Sequence, residues 1–171
     1  MKSTFVHFTD KQIDNQIGII EQDSIKAFWS DGQFSMHDML LFLLKITGPC
    51  KVWLSTFSIS EVAIRAMNSA VMDSSITELN CLFDYTIKSN KTQLLFFASN
   101  VCTSIKLTPN HSKLILLEND HWKLVVVGSA NMTPNPRKEA GVIITISDIY
   151  DYYKQHLLDT MEVAQNVEFN V

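Results

Sequence analysis

The stretch HSKLILLENDHWKLVVVGSAN, residues 111–131, has the pattern of a β-hairpin that ends in a polar turn. Its two apolar runs, 111–117 and 122–127, are each short enough to be one buried strand. Between the runs stand Asn119 and Asp120, which are residues that favour turns. The stretch therefore predicts two antiparallel strands joined by a tight connection.

Polar side chains are concentrated at the open end of this predicted hairpin. Residues two apart in a strand point to the same face, so His111 and Lys113 would present an imidazole and an ammonium together. With the turn centred as above, antiparallel pairing puts Gly128 or Ser129 opposite His111. Gly128 permits a close backbone approach, and the Ser129 hydroxyl and Asn131 amide add donors for a phosphate. The alternative is a chance His-x-Lys beside an ordinary polar turn.

The segment 111–141 resembles the HxKxxxxD and GSxxxN-like signature of the phospholipase D superfamily. The residues that carry the resemblance are His111, Lys113, Gly128, Ser129, Asn131 and Glu139. One position departs from the signature, because Glu118 stands where the family has an aspartate. The resemblance gives that acid a mainly structural role, so the change affects its hydrogen bonds more than the chemistry. For Glu139, a solvated residue at the start of a strand is the alternative interpretation.

The resemblance implies cleavage of a phosphodiester through a covalent phosphohistidine. One histidine attacks phosphorus, and a second protonates the leaving oxygen and later activates water. In the same comparison Glu139 would hold the far nitrogen of the His111 imidazole and stabilise its charged form. Because the chain carries one such motif, the resemblance implies a homodimer whose two-fold axis joins two copies of His111 and Lys113 in one active site.

No cofactor and no metal is expected for this chemistry. Lys113 and the neighbouring donors would stabilise the charge that Mg²⁺ stabilises in other phosphodiesterases. A metal site built from His111, His121 and Asp120 is the alternative, although their spacing fits no known ligand pattern. Activity is therefore expected to survive EDTA.

The chain as a whole alternates predicted strands and helices, which indicates an α/β structure. Helices are predicted over 35–47, 60–72, 92–99 and 147–164, the last capped by Ser147 or Asp148, and further strands over 16–21, 51–59, 77–85, 104–107 and 140–146. No repeat or linker divides these elements, so a single phospholipase D-like domain over residues 1–171 is expected. The prediction is a mixed β-sheet flanked by helices on both faces, with one half-unit per chain.

Charge is divided unevenly along the chain. The net charge is −4, which by itself weighs against a polyanionic partner. Between residues 85 and 138, however, seven bases and two acids give +5, which leaves −9 for the rest. A positive local field is therefore expected around the predicted hairpin, and scattered surface lysines are the alternative.

Four further residues are candidates for contact with a substrate. Ser55 and Phe57 lie toward the carboxyl end of a predicted strand, where α/β sheets commonly bind ligands. Arg137 and Lys138 follow the turn at 134–136 and could hold flanking phosphates. Packing of Phe57 and simple solvation of the basic pair are the alternatives.

These observations favour a metal-independent endonuclease that acts on nucleic acid. A phospholipase D-type lipid hydrolase and a non-catalytic, dimeric nucleic-acid-binding or scaffold protein are the alternatives. No apolar run approaches the roughly 20 residues that span a bilayer, and the first residues lack a signal-peptide pattern, so a cytoplasmic protein without a membrane partner is expected. Three cysteines without CxxC spacing predict reduced thiols.

Overall fold

The computed structural model describes residues 2–8, 13–134 and 136–168, and the strands within these ranges form one nine-stranded sheet. The strands are β1 (Lys2–Phe8), β2 (Ser24–Ser30), β3 (Cys50–Thr56), β4 (Ile76–Asp84), β5 (Ser104–Thr108), β6 (Leu114–Glu118), β7 (Lys123–Gly128), β8 (Glu139–Ile144) and β9 (Gln165–Asn166). The helices are α1 (Ile13–Ile17), α2 (Met36–Thr47), α3 (Glu61–Met72), α4 (Tyr85–Asn90), α5 (Thr92–Ser99) and α6 (Ser147–Val163). The described helices include none that is long and apolar enough to cross a bilayer.

The sheet is mixed, with the spatial order β1-β2-β8-β7-β6-β3-β4-β5-β9. Strand β1 runs parallel to β2, and β3, β4 and β5 run parallel to one another. The remaining neighbours are antiparallel. Helices α2, α3 and α5 contribute to a core on one face, whereas α6 covers a second core on the other face. The predicted fold class, a mixed sheet with helices on both faces, is confirmed.

Strand β3 illustrates why this chain needs two helical layers. Its Val52 and Leu54 belong to the core beneath α2 and α3, and Trp53 between them belongs to the core beneath α6. All three are buried, which explains why this part of the sequence is apolar without alternation. A strand of this kind is stable only when both of its faces are covered.

Local capping signals fix the bounds of two predicted helices. Helix α2 begins after Ser35 and ends before Gly48, whose φ of 72° suits a residue without a side chain. Helix α3 begins after Ser60, whose hydroxyl accepts a hydrogen bond from Ala63 N. The predicted cap of the last helix was wrong, because Ile146 precedes the first turn of α6 and makes no side-chain cap.

The predicted strand at 16–21 is also wrong. Helix α1 ends at Ile17, and the strand that follows is β2, which begins at Ser24. The Lys26 ammonium donates hydrogen bonds to the carbonyl oxygens of Ile17 and Ile19, at 2.5 and 2.8 Å. Those carbonyls are therefore satisfied by a lysine and not by a neighbouring strand.

The candidate site residues lie at the end of the sheet where β3, β4, β5 and β7 finish and β6 and β8 begin; we call it the site end. Strand β6 lies on the far side of β3 and β4 from β5, so the chain must cross three inter-strand gaps, roughly 14 Å, between β5 and β6. Residues 109–113 make this crossing over the ends of β4 and β3. The predicted strand at 111–117 is therefore wrong for its first three residues, since β6 begins at Leu114.

Candidate functional site

His111 stands at the middle of the crossing segment with its side chain exposed. Its ring packs against Phe57, which follows β3, with 5.0 Å between the ring centroids. The Lys113 ammonium donates to His111 Nδ1 at 3.3 Å and to the His111 carbonyl oxygen at 2.6 Å. An accessible imidazole thus lies directly beside a fixed positive charge.

Lys113 itself is buried, with 8% of its surface exposed. Burial lowers the pKa of its ammonium below the ordinary value, and the nearby charge of Glu139 partly opposes that shift. The ammonium also lies 5.8 Å from the centre of the Phe57 ring. A cation held in this way loses little entropy when it binds an anion, because its position is already set.

The hairpin differs from its prediction in register. Its turn spans four residues, with Asn119 N bonded to Trp122 O at 3.0 Å, so Leu114 pairs with Val127. Gly128 N donates to Lys113 O at 3.3 Å and therefore lies opposite Lys113. The expectation that Gly128 or Ser129 lies opposite His111 was wrong, because the turn is centred on Asp120 and His121, one residue later than predicted.

Ser129 and Glu139 form a hydrogen-bonded pair between the end of β7 and the start of β8. The Ser129 hydroxyl donates to Glu139 Oε2 and accepts from Ala140 N at 3.0 Å. The Ser129 amide also donates to Ala140 O at 2.9 Å. Gly128 is closely packed here, since a Cβ on it would lie 3.1 Å from Ala140 O. The hydrogen bond from the His111 imidazole to the Glu139 carboxylate that the family resemblance implies remains a prediction.

Asn131 ties the loop after β7 to the loop after β3. Its Oδ1 accepts from Ser58 N at 3.2 Å and from Thr56 Oγ1 at 3.3 Å. Two backbone bonds between the same loops lie next to it, Met132 N to Ser58 O at 3.2 Å and Ser60 N to Met132 O at 3.0 Å. Because the oxygen is used inside the protein, the amide nitrogen is the donor that Asn131 can offer to a ligand.

Two residues that the sequence analysis missed, Asn110 and Asp84, hold the crossing segment. Asn110 N donates to Asp84 Oδ2 at 2.8 Å, and Asn110 Nδ2 donates to Ser55 Oγ at 2.9 Å and to Leu82 O at 3.2 Å. The Asn110 Oδ1 accepts from the amide and the hydroxyl of Ser112, at 3.0 and 2.7 Å. Both residues flanking His111 are therefore fixed by hydrogen bonds, which are buried at Asn110 and partly buried at Ser112.

The Asp84 carboxylate is ionised in this network. Burial raises its pKa, but hydrogen bonds from Asn110 and Thr86 and the nearby charge of His111 outweigh burial, so that the pKa lies below the ordinary value. Asp84 also caps α4 by accepting from Thr86 N at 2.9 Å. One signal was available in the sequence, since an Asp directly before a helix is a typical cap, but nothing local connects it to Asn110.

The four candidates for substrate contact lie in different environments. Ser55 is buried beneath the site, where its hydroxyl is 2.5 Å from that of Ser112, whereas Phe57 is half-buried beside His111. Lys138 is exposed and forms an ion pair with Asp31 at 2.8 Å, and Arg137 is exposed next to it. Residue 135, in the turn before this basic pair, lies outside the described residues.

Glu118 lies at the other end of β6 from the site. It follows Lys113 by five residues, or roughly 17 Å of strand. Its Oε2 accepts hydrogen bonds from Lys154 Nζ and, at 3.4 Å, from Tyr150 OH, so it joins β6 to α6. Asp120 and His121 lie in the turn beyond it, and the alternative metal site that pairs them with His111 is therefore wrong. Within the described residues there is no group of three His, Cys, Asp or Glu side chains placed to hold a metal.

The basic window does not form one continuous patch. Lys123 pairs with Asp151 at 2.7 Å near the hairpin turn, and Lys106 Nζ bonds to Asn166 Oδ1 at 2.7 Å beside the short strand β9. Lys91, Lys113 and Lys138 are the window's lysines with described hydrogen bonds at the site end, and Lys138 is paired there with Asp31. The positive charge at the site is thus smaller than the sequence window suggested, but it is held close to His111.

No protein-family model matches the sequence, and no curated protein matches it either. Solved structures do match this chain in fold. The fold is similar to that of the phospholipase D family member Nuc from Salmonella typhimurium, with a TM-score of 0.67 and 15% identity over 85% of this chain and 99% of that chain. It is similar to NucT from Helicobacter pylori, with a TM-score of 0.63 and 18% identity over 84% and 99% of the two chains. Phosphatidylserine synthase from Haemophilus influenzae has a TM-score of 0.61 and 9% identity over 84% of this chain and 40% of that one. The chain therefore has the fold of the phospholipase D superfamily.

Proposed function

We propose that this protein is a phosphodiesterase, most specifically a metal-independent endonuclease that works through a phosphohistidine. The observation that carries the proposal is the exposed His111 imidazole beside the buried Lys113 ammonium, on a segment fixed by Asp84 and Asn110. An imidazole is a useful nucleophile only if it is accessible and correctly oriented. The fold supports the same conclusion, because the similar structures include a phospholipase D family member.

In the proposed reaction, one ring nitrogen of His111 attacks phosphorus while the bond from phosphorus to the leaving oxygen breaks. The second histidine, as imidazolium, gives its proton to that leaving oxygen. As neutral imidazole it then removes a proton from water, which attacks phosphorus and displaces His111. Lys113 and the Asn131 amide nitrogen stabilise the non-bridging oxygens in both steps.

The second histidine is supplied by a second copy of the chain. The other four histidines of this chain are engaged elsewhere: His7 pairs with Asp31 at 3.0 Å, His37 is buried beside Ser35, His121 lies in the hairpin turn, and His156 packs on Tyr152. A two-fold axis next to His111 would bring the same residue from both copies together.

A surface that fits this role lies beside the site on β1 and β2. Phe5 and Trp29 are 82% and 44% exposed, and with His7 and Ala27 they line a shallow apolar depression. Trp29 pairs with Ala140, the residue after Glu139, so the depression adjoins the site. An apolar patch of this kind commonly marks a protein interface. We propose that the two copies meet over it.

The decisive experiment compares the wild type with His111→Asn in the presence of EDTA. The substrates are plasmid DNA, single-stranded RNA and a bis-aryl phosphodiester, and a radiolabelled substrate reports any phosphohistidine. We expect the wild type to cleave and to be labelled, and the exposed site to leave the variant folded but inactive. Equal activity in the variant would refute the mechanism. Cleavage of the bis-aryl phosphodiester but of neither nucleic acid would favour a lipid hydrolase, and cleavage of nothing would favour a scaffold.

A further inference from the structure

A groove between the start of α3 and the start of α5 lies next to the site end of the sheet. Its volume is about 450 Å³, and it is lined by Glu61, Arg65, Lys91, Gln93, Leu94 and Phe97. None of these residues belongs to the His111 motif. The lining combines two cations, an amide and an aromatic ring, which are the groups that hold a nucleic-acid strand by its phosphates and bases.

Lys91 connects this groove to the proposed active site. Its ammonium donates to Ser58 Oγ at 3.2 Å and to Ile59 O at 2.7 Å. Ser58 N in turn donates to the Asn131 side chain, and the residue before Ser58 is Phe57, whose ring packs on His111. A strand that leaves the His111 site across the loop after β3 would meet Lys91 first.

The charges of the groove differ in how firmly they are neutralised. Arg65 forms hydrogen bonds with the Glu61 carboxylate at 2.6 and 2.8 Å and lies 5.4 Å above the centre of the Phe97 ring. This ion pair is exposed, so it stabilises the protein little and can be exchanged for a phosphate. The described hydrogen bonds of Lys91 go to neutral oxygens, which leaves its charge uncompensated by them.

We propose that this groove binds the nucleic-acid strand that flanks the scissile phosphate, with Lys91 on the neighbouring phosphate and Arg65 farther along. The inference rests on the proposed function and narrows its substrate class. A polynucleotide carries a phosphate at every step and can occupy both sites, whereas a phospholipid or a small diester presents one phosphate to His111. The groove therefore selects a polymeric substrate.

The test measures how binding and cleavage depend on salt in Lys91→Gln and in a matched control, Lys51→Gln. Lys51 lies at the opposite end of β3, where it pairs with Glu78 at 3.1 Å, so the control removes the same charge away from the groove. Binding of a labelled single-stranded oligonucleotide is measured in a His111→Asn background. Cleavage is measured as kcat/KM for a long oligonucleotide relative to a bis-aryl phosphodiester.

We expect Lys91→Gln to reduce the slope of log affinity against log salt by about 0.7, the value for one lost phosphate contact on a single strand. The ratio of the two kcat/KM values should fall about tenfold. Lys51→Gln should change neither quantity, and Lys91→Arg, which keeps the charge, should retain the wild-type slope.

Two results would overturn the inference while leaving the proposed function intact. One is an unchanged slope and ratio in Lys91→Gln when the wild type cleaves oligonucleotides. The other is an equal loss in Lys91→Gln and Lys91→Arg without a change of slope, because that pattern would assign Lys91 a purely structural bond to Ile59. If the wild type cleaves no nucleic acid at all, it is the proposed function that fails.

Discussion

Replacing Asp84 by alanine should both destabilise the protein and displace His111. The Asp84 carboxylate accepts hydrogen bonds from Asn110 N at 2.8 Å, from Thr86 N at 2.9 Å and from Thr86 Oγ1 at 2.6 Å. Asn110 is buried, so its amide would lose its partner without access to water, which costs about 1–3 kcal/mol. Thr86 is exposed and can bond to water, so the loss there is that of a helix cap, about 1 kcal/mol.

The expected sum is about 3 kcal/mol of unfolding free energy, which corresponds to a fall in Tm of roughly 6–12 °C for a chain of this size. Urea denaturation followed by circular dichroism measures the unfolding free energy. The displaced His111 should also lower kcat on a bis-aryl phosphodiester by at least about tenfold, because small misplacements of a nucleophile have large kinetic effects. Asp84→Asn, which can still accept one of the bonds, should lie between the wild type and Asp84→Ala.

The pH dependence gives an independent check on the same carboxylate. The pKa of Asp84 is lower in the folded protein than in the unfolded chain, so its contribution to stability is fully present above about pH 4. That contribution disappears as the pH falls through the lowered pKa, because the protonated acid no longer accepts the bonds. The difference in unfolding free energy between the wild type and Asp84→Ala should therefore shrink in acid.

The control is Asp73→Ala, which removes an aspartate that accepts from Ser75 N at 2.9 Å in an exposed turn after α3. Water can replace that acceptor, so the variant should lose less stability than Asp84→Ala and keep full activity. The reasoning is refuted if Asp84→Ala is as stable as Asp73→Ala, or if it keeps wild-type kcat.

Three further predictions concern other parts of the molecule. Because burial lowers the pKa of Lys113, activity at alkaline pH should begin to fall below the pH at which an ordinary lysine titrates. Lys113→Arg should move that fall in activity to higher pH. An unchanged pH profile in the arginine variant would contradict this. Glu118→Gln should lower the unfolding free energy by about 1–2 kcal/mol, since it breaks the partly buried pair with Lys154, and should leave kcat unchanged. If the proposed dimer forms over Phe5, Phe5→Glu should be an inactive monomer in light scattering, whereas Ile19→Glu, at an equally exposed isoleucine, should stay dimeric; an active monomer would refute the shared site.

The parts of the fold that the sequence predicted well are those encoded by neighbouring residues. Helices α2 and α3 follow from a serine before the first turn and, for α2, from a glycine after the last. The buried strands β3 and β4 follow from short apolar runs within them, 52–54 and 81–83. The placement of His111, Lys113 and Ser129 at one end of the sheet needed no topology, because the hairpin brings the two parts of the motif together there.

The failures arise from contacts that residue types alone do not reveal, and one of them depends on the order of the strands. Asp84 and Asn110 are 26 residues apart and meet only because β5 is separated from β6 by two other strands. The apolar run at 16–21 has the composition of a strand, but its carbonyls are satisfied by Lys26 from β2. No pattern within a window of ten residues carries the contact between Asp84 and Asn110, and the apolar pattern at 16–21 does not show that Lys26 bonds to its carbonyls.

The crossing segment shows why residues 111–113, which were predicted to belong to a strand, lie outside β6. If residues 111–113 had continued β6, His111 would have lain in the ladder with its neighbours and would have been covered as they are. Running across the ends of β3 and β4 exposes the imidazole, but it ends the β3–β6 ladder at Ser55, so Thr56 has no partner residue on β6. The Asn110 side-chain amide donates to Thr56 O at 3.4 Å and to Leu82 O on the next strand at 3.2 Å. One asparagine thus ties the crossing segment to β3 and β4, next to the residue whose exposure the interruption creates.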